Sequence, residues 1–221
     1  MNNEQRTRLM KLSSNNISDA MTALQIRGTT RGIRPIWEGC PKICGEAITI
    51  KMGPVGMTEA ETTHLGVLNA MKAGKPGSVV VVDHGGRTDI SAFGGIMGNT
   101  AQVYGMSGVV VDGVCRDIDE YVSIRLPMYS RGATVETSRG KTQAYLINQM
   151  IQFGGVQVRP GDIVLGDRSG VVVVPQERFE EVLAKAEELE ANESRMIQEI
   201  RSGADPAFVD QKFNYENMLK K

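Results

Sequence analysis

Three stretches of the chain set a valine run behind a glycine: GSVVVVD at 77–83, GVVVDG at 108–113 and GVVVV at 170–174. Valine is stiff at χ1 and packs well on a pleated surface, so such runs resist helix and favour strand. Apolar residues without polar alternation read as strands covered on both faces. The sequence therefore predicts strands over Ser78–Val82 and Val109–Val111. It also predicts the pair Ile163–Leu165 and Val171–Val174, joined by the turn Gly166-Asp167-Arg168-Ser169-Gly170. Ala47–Lys51 alternates enough to be a further strand.

Helical spacing fills the intervals. A first helix is expected over Ser18–Ile26, capped by Ser18-Asp19 and stopped by Gly28. A second runs from Glu59 to Ala73 and ends at Gly74; a third covers Ile96–Tyr104 and is entered through Gly94-Gly95. Beyond Pro175, Phe179, Val182, Leu183, Ala186, Leu189, Met196, Ile197 and Ile200 recur on an otherwise charged segment. This reads as one long amphipathic helix whose stripe is core or subunit contact. After Gly203 the tail, with Phe208, Phe213 and Tyr215, is expected either to dock on a neighbour or to be loosely ordered. No repeat or linker divides the rest, so 1–203 is read as one domain and 204–221 as a tail.

Composition narrows the function classes. A net charge of −1 without any Lys/Arg run gives nucleic acid no basic face to bind. No segment approaches the roughly 20 apolar residues of a membrane span, and MNNEQRTRLMKLSSNN has no signal-peptide core. A cytoplasmic protein is expected. Cys40, Cys44 and Cys115 suit that compartment and read as structural, although Cys40 and Cys44 with His64 or His84 would be the ligand types for a metal.

The chemistry gathers where strands give way to helices. One such turn is Asp83-His84-Gly85-Gly86, and the other is Phe93-Gly94-Gly95-Ile96-Met97. In the second, two glycines permit close backbone approach, and the first free N–H groups of the helix favour an anion. Neither turn matches a nucleotide-binding pattern. Arg116 and Asp117 follow the 108–113 valine run directly. A guanidinium can hold a carboxylate bidentately, and one aspartate with several waters suits Mg²⁺ or Mn²⁺. On residue types alone the pair could equally be a surface ion pair. His84 is either a proton shuttle beside the site or a turn histidine with a backbone partner, and His64 reads as structural.

Gly95, a gap of twenty residues, Arg116-Asp117, two residues and Glu120 form a pattern that resembles the signature of the RraA-like family. The likeness extends through ISDAM, GIRPI, GSVVVVD, FGGIMG, GVVVDGVCRD, FGGVQVRPGDIVLGD and GVVVVP, over roughly residues 13 to 195. It points to the branch of class II 4-hydroxy-4-methyl-2-oxoglutarate/4-carboxy-4-hydroxy-2-oxoadipate aldolases. The resemblance implies an α/β fold: a single layered α/β/α domain with a mixed central sheet, to which the long C-terminal helix belongs. It implies that Asp117 is the divalent-metal ligand (Mg²⁺ or Mn²⁺). Arg116 would bind the carboxylate of pyruvate or a 2-oxo acid substrate, with Gly94, Gly95, Ile96 and Met97 as the receiving loop. The implied reaction is retro-aldol cleavage of a 4-hydroxy-2-oxo acid to pyruvate, with oxaloacetate decarboxylation as a related activity. The implied assembly is a homotrimer or homohexamer, with the long helix as the expected contact. Position 95 offers no side chain, so the base is left open among Glu120, Asp112, Asp83, Asp89 and a water. A Schiff-base route through Lys51 or Lys141 is the rival chemistry. The family also contains ribonuclease regulators that act by surface docking, and these tend to lack the aspartate of the Arg-Asp pair.

Overall fold

The valine runs become the central strands of the molecule. The protein is seen in a computed structural model that describes residues 1–56 and 63–214. Two helices open the chain, α1 (Asn3–Lys11) and α2 (Ser14–Ala23), followed by strands β1 (Arg34–Pro35) and β2 (Ile43–Pro54). Helix α3 (Thr63–Ala73), β3 (Val79–Phe93), α4 (Gly95–Val103), β4 (Gly108–Cys115), α5 (Ile118–Ser123) and β5 (Met128–Ser130) then alternate. The chain continues through β6 (Thr142–Ile147), β7 (Ile151–Phe153), β8 (Val156–Val158), β9 (Ile163–Asp167) and β10 (Gly170–Val174), and ends in α6 (Phe179–Arg201) and α7 (Pro206–Phe213).

Among the described residues the main sheet has the order β1-β5-β4-β3-β2-β9-β10, with β6 paired to β2, while β7 and β8 form a separate hairpin. β2, β3, β4 and β5 pair in parallel, and β9 and β10 run antiparallel to their neighbours. The sheet is mixed, as expected, and it curls until it nearly closes. Thr30 N–H donates to Val171 O (3.2 Å) and Val173 N–H donates to Gly28 O (2.8 Å), so the chain entering β1 laces the two edges together.

The curl explains why the valines are unbroken by polar residues. Val79 and Val81 face an interior core with Ala47, Val110, Val164, Val171 and Val173. Val80 and Val82 face outward onto a second core, with Ile48, Ile50, Met71, Ala101 and Tyr121 beneath α3, α4 and α5. On the opposite side Leu165, Val172 and Val174 pack with Leu9, Ile17, Met21, Val182 and Leu183 from α1, α2 and α6. Helices therefore cover the curled sheet on two sides, and each central strand is buried on both faces.

Several expected boundaries move. α2 begins at Ser14, because Ser13 caps it in a reciprocal box with Asn16; the polar first turn hid the true start. β3 does not stop at Asp83 but continues to Phe93, and Gly85 and Gly86, at φ +65° and +72°, lie where its pairing with β4 turns irregular. β4 likewise runs past Asp112-Gly113 to Cys115. Helix α3 is described from Thr63; the expected stretch 59–62 and the side chain of His64 lie outside the described residues. The apolar stripe of α6 packs within this chain from Phe179 to Leu189, Met196 is also buried, and Ile197 and Ile200 at its far end are exposed. The tail forms α7: Val209 is buried, and Phe213 lies under Arg195 and Lys212 (5.9 and 5.4 Å to the ring centre). Tyr215 falls outside the described residues.

Candidate functional site

The parallel strands β3 and β4 deliver their carboxyl ends side by side, and this is where α/β folds place ligands. Phe93 and Cys115 pair across the two strands, and Arg116 N–H donates to Phe93 O at 3.0 Å. The next residues on each strand are thereby held together: Gly94-Gly95, which opens α4, and Arg116-Asp117, which opens α5.

Asp117 sits in the left-handed region (φ 62°, ψ 47°), which turns its side chain away from its own helix. No capping bond to α5 forms. Asp117 Oδ2 instead accepts the Gly95 N–H at 2.7 Å, and Arg116 Nε approaches the same oxygen at 3.4 Å. The carboxylate thus takes the first free donor of α4, while the N–H groups of Ile96 and Met97 in the same first turn have no intrahelical acceptor. The two glycines make this approach possible. A Cβ on Gly94 would lie 3.0 Å from Asp117 Oδ2 and 3.1 Å from Arg116 Nε; one on Gly95 would lie 3.1 Å from Glu120 Cγ.

These groups line one cleft of about 40 Å³, and it shares Gly95, Ile96 and Asp117 with a wider open groove between α4 and α5. Arg116, Asp117, Gly94, Gly95, Ile96 and Met97 all lie on its wall, so the six positions expected from the sequence come together. The cleft has a further wall that sequence reasoning missed: Thr137, Ser138 and Arg139, with Ser91 beneath. Their distance in sequence from Arg116 hides them, and a Thr-Ser-Arg-Gly turn is a weak signal by itself.

The carboxylates weighed as bases separate clearly. Asp83 is ion-paired with Lys51 and accepts Gly85 N–H at 2.8 Å. Asp112 is paired with Arg131 and accepts Gly154 N–H at 2.7 Å. Lys51, Asp83 and Asp112 stand abreast on β2, β3 and β4, a charge ladder that closes one end of the curled sheet. Asp89 is held bidentately by Arg87 at 3.0 and 2.7 Å, and that hydrogen bond holds its carboxyl at about 2. Glu120 differs: it borders the open groove, and Asn99 Nδ2 donates to its Oε1 (2.7 Å) while also bonding Gly95 O (2.9 Å). Lys51 and Lys141 are ion-paired, with Asp83 and Glu136, and neither lines the cleft.

His84 is not at the cleft. It is 2% exposed within β3, neither ring nitrogen has a partner among the described residues, and burial lowers its pKa. Cys44 and Cys115 are buried and Cys40 is half-buried, all as free thiols. Among the described residues no group of three or more His, Cys, Asp or Glu side chains converges as a metal cage. No helix among them is long and apolar enough to cross a membrane.

Residues 14–173 match the model of the RraA-like family, described as Aldolase/RraA. The chain belongs to the RraA-like family. A relative from Halalkalibacterium halodurans, provisionally named a 4-hydroxy-4-methyl-2-oxoglutarate aldolase, is 36% identical over 177 residues, which is 80% of this chain and 79% of that protein. Among solved structures, a Pseudomonas syringae pv. tomato protein of unassigned function superposes with a TM-score of 0.83 at 31% identity, covering 95% of this chain and 98% of the other. RraAS2 of Streptomyces coelicolor, described as an unusual member of the RNase ES inhibitor RraA protein family, superposes with a TM-score of 0.76 at 26% identity, covering 88% and 96%. This RraA-like chain thus has both aldolase-named and inhibitor-named kin.

Proposed function

We propose that this protein is a divalent-metal-dependent lyase that cleaves a 4-hydroxy-2-oxo acid to pyruvate by retro-aldol reaction, with oxaloacetate decarboxylation as a related activity. The observation that carries the reading is the shared oxygen. Asp117 Oδ2 takes the Gly95 N–H at 2.7 Å with the Arg116 guanidinium 3.4 Å away, which puts a carboxylate, a fixed cation and a helix start in one cleft. The aldolase name of the Halalkalibacterium relative supports the same direction.

The residues present fit Mg²⁺ or Mn²⁺. Asp117 is 42% exposed at its side chain, and among the described residues no group of three or more His, Cys, Asp or Glu side chains encloses it, which is the donor set of an ion that keeps most of its waters. Asp117 would hold the ion, which when bound acts as a Lewis acid toward the 2-oxo group. Arg116 holds the substrate's C1 carboxylate together with the free N–H groups of Ile96 and Met97. Held this way, the C3–C4 bond breaks, its electron pair moves toward the C2 oxygen, and C3 is then protonated to give pyruvate. Arg116 and the amino end of α4 are positive where that negative charge develops. The 4-hydroxyl proton is assigned to Glu120, the carboxylate that borders the groove and is oriented by Asn99.

We also place the protein in the cytoplasm, and assign it a homotrimeric or homohexameric state. Ile96, Val103 and Val122 on the exposed faces of α4 and α5 support such an assembly; sedimentation as a monomer at micromolar concentration would contradict it. The similarity to RraAS2 favours one second reading, a regulator that docks on another enzyme. Incubation of 4-hydroxy-2-oxo acids and oxaloacetate with the protein and Mg²⁺ or Mn²⁺, with pyruvate read through lactate dehydrogenase, separates the two. Metal-dependent pyruvate release is expected; its absence with every substrate would favour the regulator.

A further inference from the structure

At the end of the sheet away from the cleft, the fold leaves two opposite charges on one cavity, each without a counter-ion. The cavity, of about 370 Å³, is walled by the segment after α2, the β7–β8 hairpin, the turn into β9 and the exit from β10. That volume lies within the roughly 300–1,000 Å³ of small-molecule sites. Asp162 O accepts the Ala47 N–H at 2.8 Å, and Ala47 pairs with Val79, the first residue of β3. The cleft of Arg116 lies beyond the last residue of β3, and the two share no lining residue.

Asp162 is 4% exposed, and its carboxylate is fixed from two sides. Oδ2 accepts the Arg159 N–H at 2.7 Å, and Oδ1 accepts the Gln176 N–H at 3.1 Å. These bonds tie the turn before β9 to the chain after β10 and leave each oxygen a free lone pair. Burial pushes the Asp162 carboxyl upward, which a cation alongside would offset. Arg159 is instead engaged by Glu177 at 3.0 Å, so these two charges cancel within the cavity. Arg27 lines the same cavity, and among the described residues it forms no ion pair with Asp162 or any other carboxylate. The unpaired remainder is one fixed cation and one buried anion. The hairpin adds two primary amides: Gln152 and Gln157 pair across β7 and β8 on the exposed face, and both line the cavity.

We infer that this cavity is a binding site for a free α-amino acid with a polar side chain, its carboxylate against Arg27 and its ammonium against Asp162. A ligand with one charge would leave the other wall uncompensated, whereas a zwitterion matches both. Asp162 is already held by two backbone donors, so it receives an ammonium without reorganising. The amides of Gln152 and Gln157 offer donors and acceptors to the ligand's side chain. No bond is made or broken here, and the site does not depend on the lyase reading.

Calorimetric titration of the full chain with L-glutamine, 4-carbamoylbutanoate and 4-aminobutanamide provides the test. The second probe is L-glutamine without its ammonium, and the third is L-glutamine without its carboxylate. L-Glutamine should bind about tenfold more tightly than either, the scale of one charge-assisted contact at a part-exposed site. Arg27→Gln should weaken L-glutamine by about tenfold while leaving 4-aminobutanamide within about twofold. Asp162→Asn should weaken L-glutamine similarly and spare 4-carbamoylbutanoate. Arg116→Gln, at the other end of β3, should leave all three affinities unchanged. Arg27 is exposed, so its variant keeps the fold and decides the matter even where Asp162→Asn, which disturbs two backbone contacts, does not fold. No binding of L-glutamine, equal binding of the three probes, an equal effect of Arg27→Gln on L-glutamine and 4-aminobutanamide, or loss of L-glutamine binding in Arg116→Gln would overturn the inference.

Discussion

Asp117→Asn and Asp117→Ala remove the same charge but different amounts of structure. Asp117 holds φ at 62° and accepts the Gly95 N–H, so it is part of the scaffold as well as the proposed metal ligand. Alanine in the left-handed region costs about 1–2 kcal/mol, and the lost acceptor adds about 1 kcal/mol, toward the low end because water reaches this rim. Asparagine tolerates the left-handed conformation and still offers an oxygen to Gly95. Its cost is the loss of a charge at the start of two helices, about 0.5–1 kcal/mol. Urea melts should therefore rank parent, Asn and Ala in falling stability, with Ala, which loses the charge as well, lower than the parent by about 2.5–4 kcal/mol. In a chain of this length that corresponds to roughly 5–16 °C in Tm. Metal-dependent pyruvate release should fall by roughly a hundredfold or more in both variants, because neither retains an anionic ligand. The asparagine variant is thus the cleaner probe of metal function. Full turnover by Asp117→Asn in chelator-treated buffer would refute the metal role, and equal stability of Asn and Ala would refute the scaffold role.

Two glycines on α4 should respond in opposite ways. In Gly95→Ala the new Cβ meets Glu120 Cγ at 3.1 Å and Asp117 at 3.3 Å, movable rim groups, so stability should change by less than about 1 kcal/mol while kcat/KM falls about tenfold or more. In Gly98→Ala the new Cβ lies 2.7 Å from the ring of buried Tyr121, and a loss of about 1–2 kcal/mol should remain after the gain in helix propensity; unchanged activity in the first or unchanged stability in the second would contradict these contacts. Burial lowers the pKa of His84 in the fold, whereas the unfolded chain takes up a proton below a pKa of about 6.5. Stability should thus be complete above that pH and decline as pH falls below it, by up to about 1.4 kcal/mol per pH unit for this one group. Urea midpoints from pH 7.5 to 5.5 should show a shallower slope for His84→Leu than for the parent, and parallel slopes would remove His84 from the account.

Local chemistry made much of this readable. Valine runs announce doubly buried strands because no polar residue interrupts them, and Gly94-Gly95 with Arg116-Asp117 fall where the strands do end, although glycine and charge also occur inside β3 and β4. What stayed hidden depends on distant partners. β3 continues past Asp83 because Asp83 and Asp112 are neutralised in place by Lys51 and Arg131, which a strand-end reading of DHGG cannot anticipate. The α6 stripe reads as core or contact from its spacing alone, and only the fold shows that α1 and α2, more than 150 residues earlier, pack on it from Phe179 to Leu189. Arg139 reaches the cleft only through hydrogen bonds that fasten its loop to Cys115 and Ser91, and no spacing rule encodes those.

The central claim, that Arg116 clamps the carboxylate of a 2-oxo acid undergoing C–C cleavage, is tested most directly by Arg116→Lys. Lysine keeps the charge but loses the planar fork that can hold a carboxylate bidentately. Steady-state pyruvate release from a 4-hydroxy-2-oxo acid with saturating Mg²⁺ should show kcat/KM lowered by about ten- to a hundredfold, the equivalent of about 1.5–3 kcal/mol, with the urea midpoint unchanged because Arg116 is part-exposed at the cleft. Unchanged kcat/KM in Arg116→Lys would contradict the clamp and the account built on it.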